Sequence, residues 1–64
     1  MKQLKLMKIK EVMDCTGLGR STLYNYISEG LFPKPVSLGT RSVAWVESEV
    51  EEWILDKIEQ RDGA

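Results

Sequence analysis

The sequence predicts a small, mainly α domain with a small β-hairpin, arranged as a winged helix-turn-helix. Three observations predict it. Two short segments of helical periodicity flank the glycine turn Thr16-Gly17-Leu18-Gly19. The proline-containing stretch Leu31-Phe32-Pro33-Lys34-Pro35 leads into two strand-like runs around Gly39-Thr40-Arg41. A glutamate-rich segment with apolar residues at helical spacing closes the chain. Helix, turn, helix, connector, hairpin and helix, in that order, make a helix-turn-helix with the hairpin as its wing.

Each element has its own signal. Leu4 and Leu6 alternate around Lys5 and read as a short strand or extended lead-in. Ile9, Val12 and Met13 fall at i, i+3 and i+4, which predicts a helix over about 8–15. Gly17 is placed to close it in the left-handed conformation, and Cys15 reads as a small buried filler. A second helix is expected over 20–29, with Gly19 as N-cap, Leu23 and Ile27 facing inward, Tyr26 beside them and Gly30 ending it. Pro33 and Pro35 exclude regular structure in the connector, with Leu31 and Phe32 as core plugs. The hairpin wing spans about 36–46, with Trp45 capping the core where it hands over to the last helix. That helix, about 47–61, carries the capping-box form Ser48-Glu49-Val50-Glu51. Val50, Trp53, Ile54, Lys57 and Ile58 follow at i, i+3, i+4, i+7 and i+8, so Trp53 and Ile58 read as core.

At 64 residues, with 42% hydrophobic and 30% charged residues, the chain reads as one globular domain, 1–64. One cysteine and no histidine exclude an internal disulfide and a zinc site, and they remove the commonest general base. The chain is too small to enclose a conventional active site, so an enzyme is not expected, nor a cofactor or metal. The start is basic but lacks a signal peptide's apolar region, and no apolar run approaches a membrane span. The expected location is the bacterial cytoplasm, on the nucleoid when bound.

The net charge of -1 conceals a split. Residues 1–45 carry Lys2, Lys5, Lys8, Lys10, Arg20, Lys34 and Arg41 against Glu11, Asp14 and Glu29. Residues 46–64 carry Lys57 and Arg61 against Glu47, Glu49, Glu51, Glu52, Asp56, Glu59 and Asp62. Binding responds to the field of one face rather than to the average, so an acidic chain remains compatible with nucleic acid. In the helix-turn-helix reading the second helix enters the major groove with its N-terminal residues leading. Arg20 and Asn25 are chemically fitted to read guanine and adenine edges. Ser21, Thr22 and the free first-turn amides suit phosphate oxygens, and Tyr24 suits phosphate or sugar. Arg41, with Ser42 beside it at the hairpin tip, suits the backbone or minor groove. Lys34, Lys8 and Lys10 are candidate phosphate contacts.

Five segments together resemble the AlpA family of prophage regulators. They are Lys10-Glu11-Val12-Met13, Thr16 to Tyr24, Gly30 to Val36, Gly39-Thr40-Arg41-Ser42-Val43-Ala44-Trp45, and Glu49 to Ile54. The resemblance spans roughly residues 6–56. It implies a compact, MerR-like and excisionase-like winged helix and a sequence-specific DNA-binding protein of a prophage or integrative element. Such a protein acts as a transcriptional regulator, as an excisionase that bends DNA and directs the recombinase, or as both. The implied partners are double-stranded DNA, further copies bound cooperatively beside it, and an integrase. The chain departs from the family in having Gly19 where serine is usual, and Asn25 and Val46 where a basic residue is common. Its binding face is therefore less basic. A reading from another class is a small protein-binding inhibitor module using the same fold, through its acidic last helix or its basic face.

Overall fold

The computed structural model describes residues 4–63. Lys2, and the ends of the expected 1–64 domain at 1–3 and 64, lie outside the described residues. The elements in chain order are β1 (Leu6–Met7), α1 (Ile9–Thr16), α2 (Arg20–Ser28), β2 (Val36–Ser37), β3 (Val43–Val46) and α3 (Glu47–Gly63). The fold is thus mainly helical, as expected, with a small antiparallel sheet of order β1-β3-β2. The expected hairpin is β2–β3, with Val36 opposite Ala44 and Ser37 opposite Val43. The Leu38 amide donates to the Ser42 carbonyl at 2.7 Å and extends it by one bond. The lead-in is a true third strand, with Leu6 opposite Val46 and Met7 opposite Trp45.

Local chemistry sets the helix ends. The Lys8 backbone N–H donates to Glu11 Oε1 at 3.1 Å, one half of a capping box at the start of α1. Gly17 ends α1 at φ 74°, and its N–H donates to the Met13 carbonyl. Only glycine takes that left-handed conformation without strain. Thr16, expected in the turn, completes α1 instead. Its hydroxyl donates to the Val12 carbonyl at 2.8 Å and accepts the Leu18 N–H at 3.3 Å. Gly17, Leu18 and Gly19 alone separate α1 from α2. At the end of α2, Gly30 (φ 75°) donates to the Ile27 carbonyl and Leu31 to the Tyr26 carbonyl. This paired closure satisfies carbonyls that the helix leaves free.

The start of α3 differs from expectation. Glu47 follows Val46 with no intervening residue, and its N–H donates to the Lys5 carbonyl at 2.8 Å. The sheet ladder thus takes the place of a cap, and Ser48 sits inside the first helical turn rather than before it.

The core consists of Met7, Val12, Leu23, Phe32, Trp45 and Val50, with Ile9, Met13, Leu18, Tyr26, Ile27, Trp53 and Ile54 packed around it. Trp45 is its largest fully buried side chain. Its indole N–H donates to the Pro33 carbonyl at 3.1 Å. Trp53 is half-buried. Its N–H donates to the Leu31 carbonyl at 2.7 Å, and its ring meets Phe32 edge-on at 4.9 Å. Lys57 Nζ lies 5.3 Å from the Trp53 ring centroid, within cation–π range.

Three expected core residues are not core. Cys15 is exposed, because the helical step sets it about 120° around α1 from the inward stripe of Ile9, Val12, Met13 and Thr16. Leu31 is 55% exposed; the fold uses its backbone N–H and C=O rather than its side chain. Ile58 is 40% exposed because α3 runs on past the core. Among the described residues no helix is long and apolar enough to cross a membrane.

Burial ranks the two tryptophans. Trp45→Ala should cost about 3–5 kcal/mol by emptying the core. Trp53→Ala, at a half-exposed site, should cost about 2–3 kcal/mol. Urea melts followed by far-ultraviolet circular dichroism measure both, and equal losses would contradict the ranking.

Candidate nucleic-acid interface

Helix α2 turns one side inward and leaves the rest open. Leu23 is fully buried, and Tyr26 and Ile27 are half-buried beside it. With 3.6 residues per turn, Ser21, Tyr24, Asn25 and Ser28 fall on the opposite side, flanked by Arg20 and Thr22. All six are exposed. The sequence-predicted residues of α2 therefore do share one accessible surface. Ser28 was not singled out from the sequence, although its spacing from Tyr24 and Asn25 was visible there. Its hydroxyl donates to the Asn25 carbonyl at 3.0 Å, which keeps it on its own helix.

Tyr24 is anchored as well as exposed. Its ring meets Trp45 edge-on, with centroids 6.4 Å apart, and 42% of the residue remains accessible. The ring is thereby packed on the core while part of the residue stays open to solvent. At the N-terminus of α2, Gly19 takes an extended conformation and no side-chain hydrogen bond caps the helix. The first-turn amides point outward without a side-chain partner, so the positive end of the helix dipole is open to an anion.

The hairpin tip forms a second cluster. Arg41 is exposed in the turn between β2 and β3. Ser42 is half-buried, and its hydroxyl accepts a hydrogen bond from Lys8 Nζ at 3.2 Å. This contact joins the start of α1 to the hairpin across 34 positions of sequence, and it brings Lys8 beside Ser42. Lys10 is exposed on α1.

Lys34 has different surroundings. It is exposed and lines a groove of 660 Å³ with Pro33, Val36, Trp53 and the carboxylates Glu49, Glu52 and Asp56. These three acids line the groove with Lys34 but form no ion pair with it among the described residues, and the groove's charged lining is net acidic. Among the described residues no cluster of histidine, cysteine and acidic side chains is fit to hold a metal ion.

Residues 5–58 match the family described as prophage CP4-57 regulatory protein (AlpA). A protein of Enterobacteria phage P4, ORF88, is 46% identical over 59 residues, which cover 92% of this chain and 67% of that protein. The DNA-binding transcriptional activator AlpA of Escherichia coli (strain K12) is 32% identical over 60 residues, covering 84% of this chain and 86% of that protein.

The open N-terminus of α2 gives a direct test. No atom lies within 4 Å of a Cβ built at Gly19, so Gly19→Ser fits without strain and supplies a capping hydroxyl. Stability should rise by a few tenths of a kcal/mol, about 1–3 °C in Tm for a domain of this size. An unchanged or lower Tm would mean that the first-turn amides are already satisfied.

Proposed function

We propose, for a chain that belongs to the AlpA family of prophage regulatory proteins, that it binds a specific double-stranded DNA site and regulates transcription there. In this reading α2 is the recognition helix and the β2–β3 hairpin is the wing. The observation that carries it is the exposed polar face of α2. Arg20 and Asn25 stand there with the side chains that match base edges, and Ser21, Thr22 and the uncapped amides match phosphate oxygens. Tyr24, held by Trp45, adds a sugar or phosphate contact at low entropic cost because its ring is already fixed. Arg41, Ser42 and Lys8 supply the wing's backbone contacts. The E. coli relative's description as a DNA-binding transcriptional activator supports the same reading.

The role extends to excision. Binding beside a recombination site and bending the DNA requires the same contacts as binding at a promoter. One protein of this kind serves as regulator and as excisionase, with an integrase and neighbouring copies of itself as partners on the DNA. The protein works in the bacterial cytoplasm on the nucleoid.

The contacts divide into readout and positioning. Arg20→Ala should cost about 1–3 kcal/mol at the cognate site and relax base preference at one position. Arg41→Ala should weaken cognate and random DNA alike and lower the salt slope by about one. Lys34→Ala should change affinity less than either, because the groove it lines is net acidic and disfavours a polyanion. Lys8, Lys10, Arg20 and Arg41 together set a log-log salt slope of about -3 to -4. Affinity should then fall about a hundredfold between roughly 50 and 200 mM salt. Fluorescence anisotropy with DNA from the protein's own upstream region measures all four effects. A slope near zero, with Arg20→Ala and Arg41→Ala both binding like the parent, would rule out this face and put a protein partner ahead.

A further inference from the structure

We infer that the half-exposed apolar flank of α3, running outward from Ile54, is a self-association surface, on which a second copy of the chain docks its own α3 in antiparallel orientation. Every residue from Leu55 to Gly63 is exposed, yet the helix continues through all of them. A helical stretch of that length has little stability of its own in water and gains it by packing an apolar face. Such a face is present. Glu51, Ile54, Leu55, Ile58 and Arg61 fall at i, i+3, i+4, i+7 and i+10, which is one stripe along the helix. Leu55 is 58% exposed and Ile58 40%. Ile54 stands between two shallow depressions, one of 230 Å³ beside Glu51 and Leu55 and one of 340 Å³ beside Cys15, Ile58 and Arg61.

The charges along the stripe select the occupant. It begins acidic at Glu51, is apolar through Ile54, Leu55 and Ile58, and ends basic at Arg61. A two-fold interface must be complementary to itself, and an antiparallel stripe with this sequence is. Rotation about an axis near Asp56 sets Glu51 against the partner's Arg61 and Ile54 against the partner's Ile58. Leu55 then meets its own copy. Parallel pairing would instead set Glu51 against Glu51. Arg61 donates through Nε to Asp62 at 2.8 Å, which leaves its other two guanidinium nitrogens for the carboxylate across the seam. The seam covers about two helical turns per copy, below the roughly 1,200–2,000 Å² of a stable complex. The association is therefore weak in free solution. It strengthens when two copies are held side by side, through effective concentration.

Sedimentation equilibrium on the full chain, without DNA, tests this from about 10 μM to about 1 mM. The weight-average mass should climb from monomer toward dimer. Glu51→Arg and Arg61→Glu should each weaken the dimer about tenfold, since each change turns two attractions into repulsions. The double variant should return to near the parent. In a Cys15→Ser background, Leu55→Cys should oxidise to a covalent dimer far faster than Asp56→Cys, which points about 100° away around the helix. All these positions are exposed, so the variants keep their fold, and circular dichroism confirms it. A monomer throughout the range, charge variants that leave association unchanged, a double variant that is not rescued, or equal oxidation at 55 and 56 would each overturn the inference. The assay contains no DNA, so its failure leaves the DNA-binding reading standing.

Discussion

The stretch from Leu31 to Pro35 has carbonyls to satisfy and, with prolines at 33 and 35, two fewer amides with which to pair. Two indole N–H groups resolve this. Trp45 donates to Pro33 and Trp53 donates to Leu31, so a connector that cannot join the sheet is bound at its start and its middle by side chains from β3 and α3. The rest of the fold depends on this arrangement. Phe32 is pressed into the core between the two bonds, α2 is held at its C-terminal end, and the hairpin begins from a fixed point. The Tyr24 edge against Trp45 then sets how α2 presents its open face. A buried polar group left without a partner costs about 1–3 kcal/mol, a large fraction of what a domain of this size has to spare.

Much of this was legible in the sequence because it is local. The period of Ile9, Val12 and Met13 marks α1, and Gly17 and Gly30 occupy the left-handed positions that their sequence context implies. The open face of α2 follows from assigning Leu23, Tyr26 and Ile27 inward. What was not legible depends on distant partners. The pairing of Leu6 and Met7 with β3 joins residues 40 and 38 positions apart through a two-residue strand, too short for its pattern to name a partner. Ser48 looked like a cap because the box is a sequence form, whereas the first amide of α3 goes to Lys5 across the sheet. Lys34 has neutral neighbours in sequence. Its neighbours in space include Glu49, Glu52 and Asp56.

The uneven charge along the chain acquires a meaning once the helices are placed. Acidic residues concentrate on α3, where Glu47 and Glu49 complement the positive end of the helix dipole. Arg20 and Arg41 are exposed on α2 and the hairpin, while Lys8 and Lys10 at the start of α1 stand beside the exposed acids Glu11 and Asp14. A polyanion is therefore repelled by α3 and finds its exposed cations on α2 and the hairpin.

The junction of β3 and α3 has a consequence for how sequences of this type can vary in length. Val46 is the last residue of the strand and Glu47 the first of the helix, with nothing between them to absorb a change. One added or lost residue there would spin the whole helix by about 100° and carry Val50 out of the interior. The three-residue turn between α1 and α2 is nearly as unforgiving. Over evolutionary time, insertions and deletions are left with the hairpin tip around residues 38–42 and the distal part of α3. Both outlets lie on the surfaces proposed above for DNA and for a second copy, so a change of length there would alter binding before it altered the fold.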